Sequence, residues 1–181
     1  MRIFIAVKLP DTVVGMLDSV NSRLPDGGLR KVDRKQMHLT MKFLGEVPEN
    51  QIESIISCLQ AVSFEPFSVS LDGVGVFPDP RNVRVVWVGL SPAIKIIELE
   101  QKIGAALTKF SFRKDFKFHP HITLARVKLI EDRKAFSDLL ETVKVEKQPF
   151  QISCFHLMKS TLAPNGPVYE ELASFRNSRK P

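Results

Sequence analysis

The chain has 181 residues, 44% of them apolar and 25% charged, with a mean hydropathy of −0.03. That length and balance fit a globular domain and exclude disordered, collagen-like and coiled-coil classes. A net charge of +6 and a pI near 9.4 suit an anionic ligand, with nucleic acid first among the candidates.

The apolar runs, such as Ile3 to Val7 and Val85 to Val88, have strand length and are far short of the roughly 20 residues that span a bilayer. The opening MRIFIAVKLPD has too short an apolar run for a signal peptide and no small-residue cleavage site. It reads as the first strand of a cytoplasmic protein. Cys58 and Cys154 are far apart and form no metal-ligand spacing. Both are expected to be buried thiols in a reducing compartment.

In chain order, Ile3 to Leu9 reads as a strand. Asp11 then caps a helix carrying Val13, Leu17, Val20 and Leu24 on one face, ended by Pro25, Gly27 and Gly28. His38 to Leu44 reads as a strand, and Pro48 opens a helix with Ile52, Ile55, Ile56 and Leu59 on one side. Phe67 to Phe77 is extended. The pattern then recurs, with a strand over Val83 to Leu90 and a helix from Ser91-Pro92 bearing Ile96, Leu99, Ile103 and Leu107. A strand over His121 to Val127, a helix around Asp132 to Thr142, and strands over Phe150 to Met158 and Val168 to Phe175 complete the chain.

Two segments recur at one offset. His38-Leu39-Thr40 and His121-Ile122-Thr123 are 83 residues apart, as are Pro66-Phe67-Ser68-Val69-Ser70 and Pro149-Phe150-Gln151-Ile152-Ser153. A shared offset and a shared element order indicate a duplication. The expected fold is α+β: two pseudo-symmetric βαβαβ-like lobes, residues 1–80 and 81–181, packed as one bilobal domain. Antiparallel-rich sheets should flank a central cleft, with helices outside.

Residues i and i+2 of a strand share a face. His38 and Thr40 therefore project together, with Lys42 next along, and His121 and Thr123 do the same in the second repeat. Across a pseudo-two-fold the two pairs face each other. In-line displacement at phosphorus needs this, because nucleophile and leaving oxygen lie on opposite sides and so must the base and the acid. Imidazole titrates near pH 6.5, so one ring can be neutral and the other protonated. Threonine hydroxyls can donate to the non-bridging oxygens. No metal or other cofactor is expected.

HLTMKFLGEV at 38–47 and HPHITLARV at 119–127 resemble the two signature motifs of the 2H phosphoesterase superfamily. The similarity is greatest to its RNA 2′,3′-cyclic phosphodiesterase branch, also called the 2′-5′ RNA ligase family. RIFIAVKLP, GVGVFPDPRNVRVVWVGL and FHLMKSTLAPNGPVYEELASF also resemble family segments, so the likeness covers nearly the whole chain. The resemblance implies hydrolysis of a terminal 2′,3′-cyclic phosphate on RNA to a 2′-phosphate, with His38 protonating O3′ and His121 deprotonating water. The strand geometry alone leaves the two roles interchangeable. It also implies that Thr40, Thr123 and Arg126 bind phosphate. Strict alternation puts Arg126 opposite His121, so reaching the site requires a bulge or a strand end. Reverse 2′-5′ ligation follows from reversibility. The implied partner is RNA ending in a cyclic phosphate, tRNA halves included, met by a cytoplasmic monomer without a membrane.

Arg81, Arg84, Arg113, Lys114 and Lys117 are candidates to track an RNA backbone. Phe43, Phe77, Trp87 and Phe118 are candidate base platforms or core residues. His156 has no repeat-equivalent histidine and reads as structural. The rival readings are a three-histidine metal site using His38, His119 and His121, a non-catalytic RNA-end-binding module, and the same chemistry on 2′-5′ oligonucleotides or a small cyclic nucleotide.

Overall fold

A computed structural model of the chain describes residues 1–112, 117–164 and 166–176. Among these residues are nine strands and four α-helices: β1 (Arg2–Lys8), α1 (Asp11–Ser22), β2 (Leu29–Lys31), β3 (His38–Glu46), α2 (Ile52–Gln60), β4 (Phe67–Phe77), β5 (Val85–Ser91), α3 (Ile94–Ala106), β6 (His121–Val127), α4 (Arg133–Thr142), β7 (Pro149–Ile152), β8 (Cys154–Ala163) and β9 (Gly166–Arg176). Asp11 is the first residue of α1 rather than its cap; Pro10 holds the cap position and makes no side-chain bond. Asp132 does cap α4, its carboxylate accepting from the Ala135 amide at 2.9 Å. Both cysteines are free thiols and only partly buried.

The α+β architecture expected from the sequence is present, but the strands form one sheet. Its order is β7-β4-β5-β6-β3-β1-β8-β9, with β2 added beside β6, and the paired strands run antiparallel. Alternation divides each strand between two faces. Ile3, Ile5 and Val7 of β1 join Leu39 and Met41, Val86 and Val88, and Ile122 and Leu124 in the main core. Leu17 of α1, Ile55 and Leu59 of α2, and Ile96, Leu99 and Ile103 of α3 cover that face. Each such side chain, fully buried, contributes about 1.5–3 kcal/mol. On the opposite face, Phe4 and Ala6 meet Met158 and Tyr169 in a small separate cluster.

The duplication is visible in the registers. Leu39 pairs with Ile122, its equivalent at the 83-residue offset. Ser68 likewise pairs with its equivalent Gln151, flanked by Phe67 against Ile152 and Val69 against Phe150. A two-fold through the Leu39–Ile122 and Ser68–Gln151 pairs relates these strands. The last strand of the first half and its equivalent in the second, however, cross over: β4 joins β5, while β8 joins β1. This crossing breaks the single expected strand over Phe150 to Met158 at Ser153, where the chain leaves β4 for β1.

Candidate active site

His38 opens β3 and His121 opens β6, each one residue from the Leu39–Ile122 pair at the two-fold. Carrying that antiparallel register one residue either way sets His38 across from Thr123 and Thr40 across from His121. Leu39 and Ile122 are fully buried in the core, so the two histidines and two threonines stand on the opposite, open face. The histidines are diagonal neighbours, at a backbone spacing of about 7–8 Å.

Both imidazoles are held in the same way. Nδ1 of His38 donates to the Gln36 carbonyl at 2.6 Å, and Nδ1 of His121 to the His119 carbonyl at 2.7 Å. Gln36 and His119 are themselves an equivalent pair at the 83-residue offset. A carbonyl only accepts, so each Nδ1 carries hydrogen and each Nε2 is the nitrogen that titrates. The Thr40 hydroxyl donates to Nε2 of neutral His38 at 2.9 Å. Burial pushes both pKa values below the usual imidazole value; the carbonyl bonds oppose this, and the charge of the other histidine lowers His38 further. His121 is also lowered by His119 and by the Arg126 guanidinium.

That influence of Arg126 follows from an irregularity in β6. Ala125 pairs with Val86 but Thr123 pairs with Trp87, leaving Leu124 as an extra residue. Leu124 and Ala125 are both buried, so alternation resets and Arg126 returns to the side of His121. Arg30 of β2 pairs with Arg126 and places a second guanidinium on that side. The first repeat has the matching bulge: Ile5 pairs with Lys42 and Ala6 with Thr40, skipping Met41. Its consequence for Lys42 corrects the alternation reading. Lys42 lies on the helical face, 3.7 Å from Glu100 of α3, with side chains only 11% and 14% exposed. Phe43, the equivalent of Arg126, takes the open face instead and is 56% exposed.

The surroundings of the two histidines differ. Phe4 and Tyr169 pack on His38, with ring centroids at 5.0 and 5.3 Å. Phe77 meets His121 edge-on at 4.9 Å, and Phe77, Trp87 and His119 pack on one another with centroids 4.7–5.6 Å apart. The Trp87 indole covers Gly75 so closely that a Cβ there would fall 2.2 Å from it. The His119 ring belongs to this wall, and among the described residues no three His, Cys, Asp or Glu side chains are grouped to hold a metal ion. His156 lies 3.1 Å from Glu171, which also pairs with Lys8. Arg81 is 96% exposed beside Asp79, and Arg84 borders a 630 Å³ cavity between the 78–84 turn and α4 that contains neither catalytic candidate. Lys117 is exposed, Phe118 packs against the core, and Arg113 and Lys114 lie outside the described residues.

Known proteins share this architecture. The profile of the 2′-5′ RNA ligase superfamily matches residues 15–163. An RNA 2′,3′-cyclic phosphodiesterase of Methanocaldococcus jannaschii is 33% identical over 171 residues, covering 94% of this chain and 97% of that protein. One of Archaeoglobus fulgidus is 33% identical over 177 residues, covering 97% and 99%. The crystal structure of TT0787 of Thermus thermophilus superposes with a TM-score of 0.84 at 30% identity, covering 98% of each chain. E. coli LigT complexed with 3′-AMP gives 0.79 at 25% identity, also covering 98% of each.

Proposed function

The chain belongs to the 2′-5′ RNA ligase superfamily, and from that premise we propose that it is an RNA 2′,3′-cyclic phosphodiesterase. It hydrolyses a terminal 2′,3′-cyclic phosphate to a 2′-phosphate. The observation that carries this reading is the pair of symmetry-related histidines, each with Nδ1 fixed on a carbonyl and Nε2 left to exchange protons.

In the proposed reaction a water oxygen attacks phosphorus in line with O3′. His121 Nε2 takes the water proton as the P–O bond forms. The P–O3′ bond breaks, and protonated His38 delivers its Nε2 proton to O3′. The Arg126 charge supports this assignment, because it favours the neutral form of His121 that a base requires. Once His38 is protonated, Nε2 no longer accepts, and the Thr40 hydroxyl is released towards a phosphoryl oxygen. Thr123 and Arg126 serve the oxygens on the other side, where negative charge accumulates. With a 5′-hydroxyl in place of water as the nucleophile, the same proton transfers join RNA ends through a 2′-5′ bond, and run backwards they cleave it. RNA ends left by cleavage, tRNA halves among them, are the proposed substrates of a cytoplasmic monomer.

The test is incubation of an oligoribonucleotide ending in a 2′,3′-cyclic phosphate with the protein and EDTA, followed by identification of the product isomer. The parent protein should make the 2′-phosphate, and His38→Ala and His121→Ala should each be slower by about 10²–10⁴-fold. A 3′-phosphate, or no turnover by the parent, overturns the reading.

A further inference from the structure

We propose that Tyr169 is a further substrate-binding residue of this site, its phenol donating a hydrogen bond to a non-bridging oxygen of the phosphate held between the two histidines. The proposal rests on the phosphodiesterase reading. Tyr169 is the chain's one tyrosine, and β9 carries it to His38. The start of β9 is seated on the far side of the site. Gln36 Nε2 donates to the Pro167 carbonyl at 2.6 Å, and a Cβ on Gly166 would lie 3.2 Å from the Arg30 guanidinium. Gly166 has a φ of +124°, which a side chain rarely adopts, so glycine permits this approach.

Three residues on, the phenol ring stands edge-on to His38 at an interplanar angle of 89°, and to Phe4 at 68° with centroids 5.0 Å apart. These ring contacts hold the tyrosine beside the His38 imidazole. No hydrogen bond joins the Tyr169 hydroxyl to another described residue, so its proton remains available to a ligand. Burial raises the phenol's pKa, while the Arg126 and Arg2 charges pull it down. It is protonated at neutral pH, and the approach of Gly166 to Arg30, whose strand partner is Arg126, sets the start of β9 beside the guanidiniums on the His121 side. A group that touches one histidine, on a strand seated against Gln36 and Arg30, borders the space the phosphate fills.

Tyr169→Phe isolates the hydroxyl, since it keeps the ring and its packing on His38 and Phe4. Inorganic phosphate binding to parent and variant is measured by calorimetry, alongside kcat/KM on the cyclic-phosphate oligonucleotide and thermal unfolding. The expected result is an unchanged melting temperature, with phosphate affinity and kcat/KM both lowered about tenfold or more, as for a hydrogen bond to a charged group. Equal phosphate affinity in parent and variant overturns the role of Tyr169 whatever the turnover. Absence of turnover by the parent, with phosphate binding still weakened in the variant, strikes the phosphodiesterase reading alone.

Discussion

His38 and His121 do their proposed work through one nitrogen each, and their surroundings set the pH at which that nitrogen functions. Burial holds both below the usual imidazole value. The base must be neutral and the acid protonated, so both limbs of the kcat/KM profile should shift to the acid side and the optimum of the free enzyme should fall below about pH 6.5. The two variants should be non-additive. Removing both histidines should cost little more than removing one, because they act in a single concerted displacement; steady-state rates of the double variant check this. Lys42 gives a contrasting expectation. It borders α3, so Lys42→Ala should remove the half-buried pair with Glu100 and cost about 1–3 kcal/mol. Thermal unfolding should show the loss while kcat/KM stays within about twofold. The histidines and threonines were legible because the sequence states them twice. Gln36 and His119 were not, since they contribute backbone carbonyls, although their 83-residue offset was there to be noticed. Tyr169 was hidden because its approach to His38 depends on how the β8–β9 hairpin crosses the sheet.

The element that decides the site's charge is the bulge. Period-two alternation predicts the placement of His121 and Thr123 correctly and then fails at Leu124, where one extra residue turns Arg126 to the open face. Alternation alone put Lys42 on the wrong face for the same reason, at Met41. Helical periodicity served better, because α1, α2 and α3 each bury one apolar stripe on the sheet. The three-residue strand β2 carried no such pattern. Close packing makes the aromatic wall another test at this scale. Gly75→Ala would drive a methyl into the Trp87 indole, displacing the wall that also holds Phe77, His119 and His121. The expected result is a kcat/KM lower by about tenfold or more together with a reduced melting temperature. Wild-type kinetics would show that the wall does not position His121.

At the scale of the molecule, the sequence repeat and the sheet divide the chain differently. Residues 1–80 contain β4, whose partners β5 and β7 lie in the second half, and β1, which loses its neighbour β8. The duplication was readable from the offset; the exchange of β4 and β8 was not, because strand order depends on contacts between distant segments. We propose that the two halves form one cooperative unit. The intact chain should melt in a single transition, and a fragment of residues 1–80 should give the amide dispersion of an unfolded chain by NMR. The histidines also set how that unit responds to pH. Those at 38, 121 and 156 are all lowered, chiefly by burial, so the unfolded chain takes up their protons first as pH falls. Stability should be greatest above about pH 6.5 and decline as pH drops from there through the lower folded values. Melting temperatures at a series of pH values between about 7.5 and 5.5 check the sign.

In the proposed reaction two related imidazoles divide one set of proton transfers between them. The most direct measurement is the pH dependence of kcat/KM on a cyclic-phosphate oligonucleotide in EDTA, for the parent and each histidine variant. The parent should give a bell, His121→Ala should lose the acidic limb, and His38→Ala should lose the alkaline limb. Both limbs surviving in either variant would contradict this division.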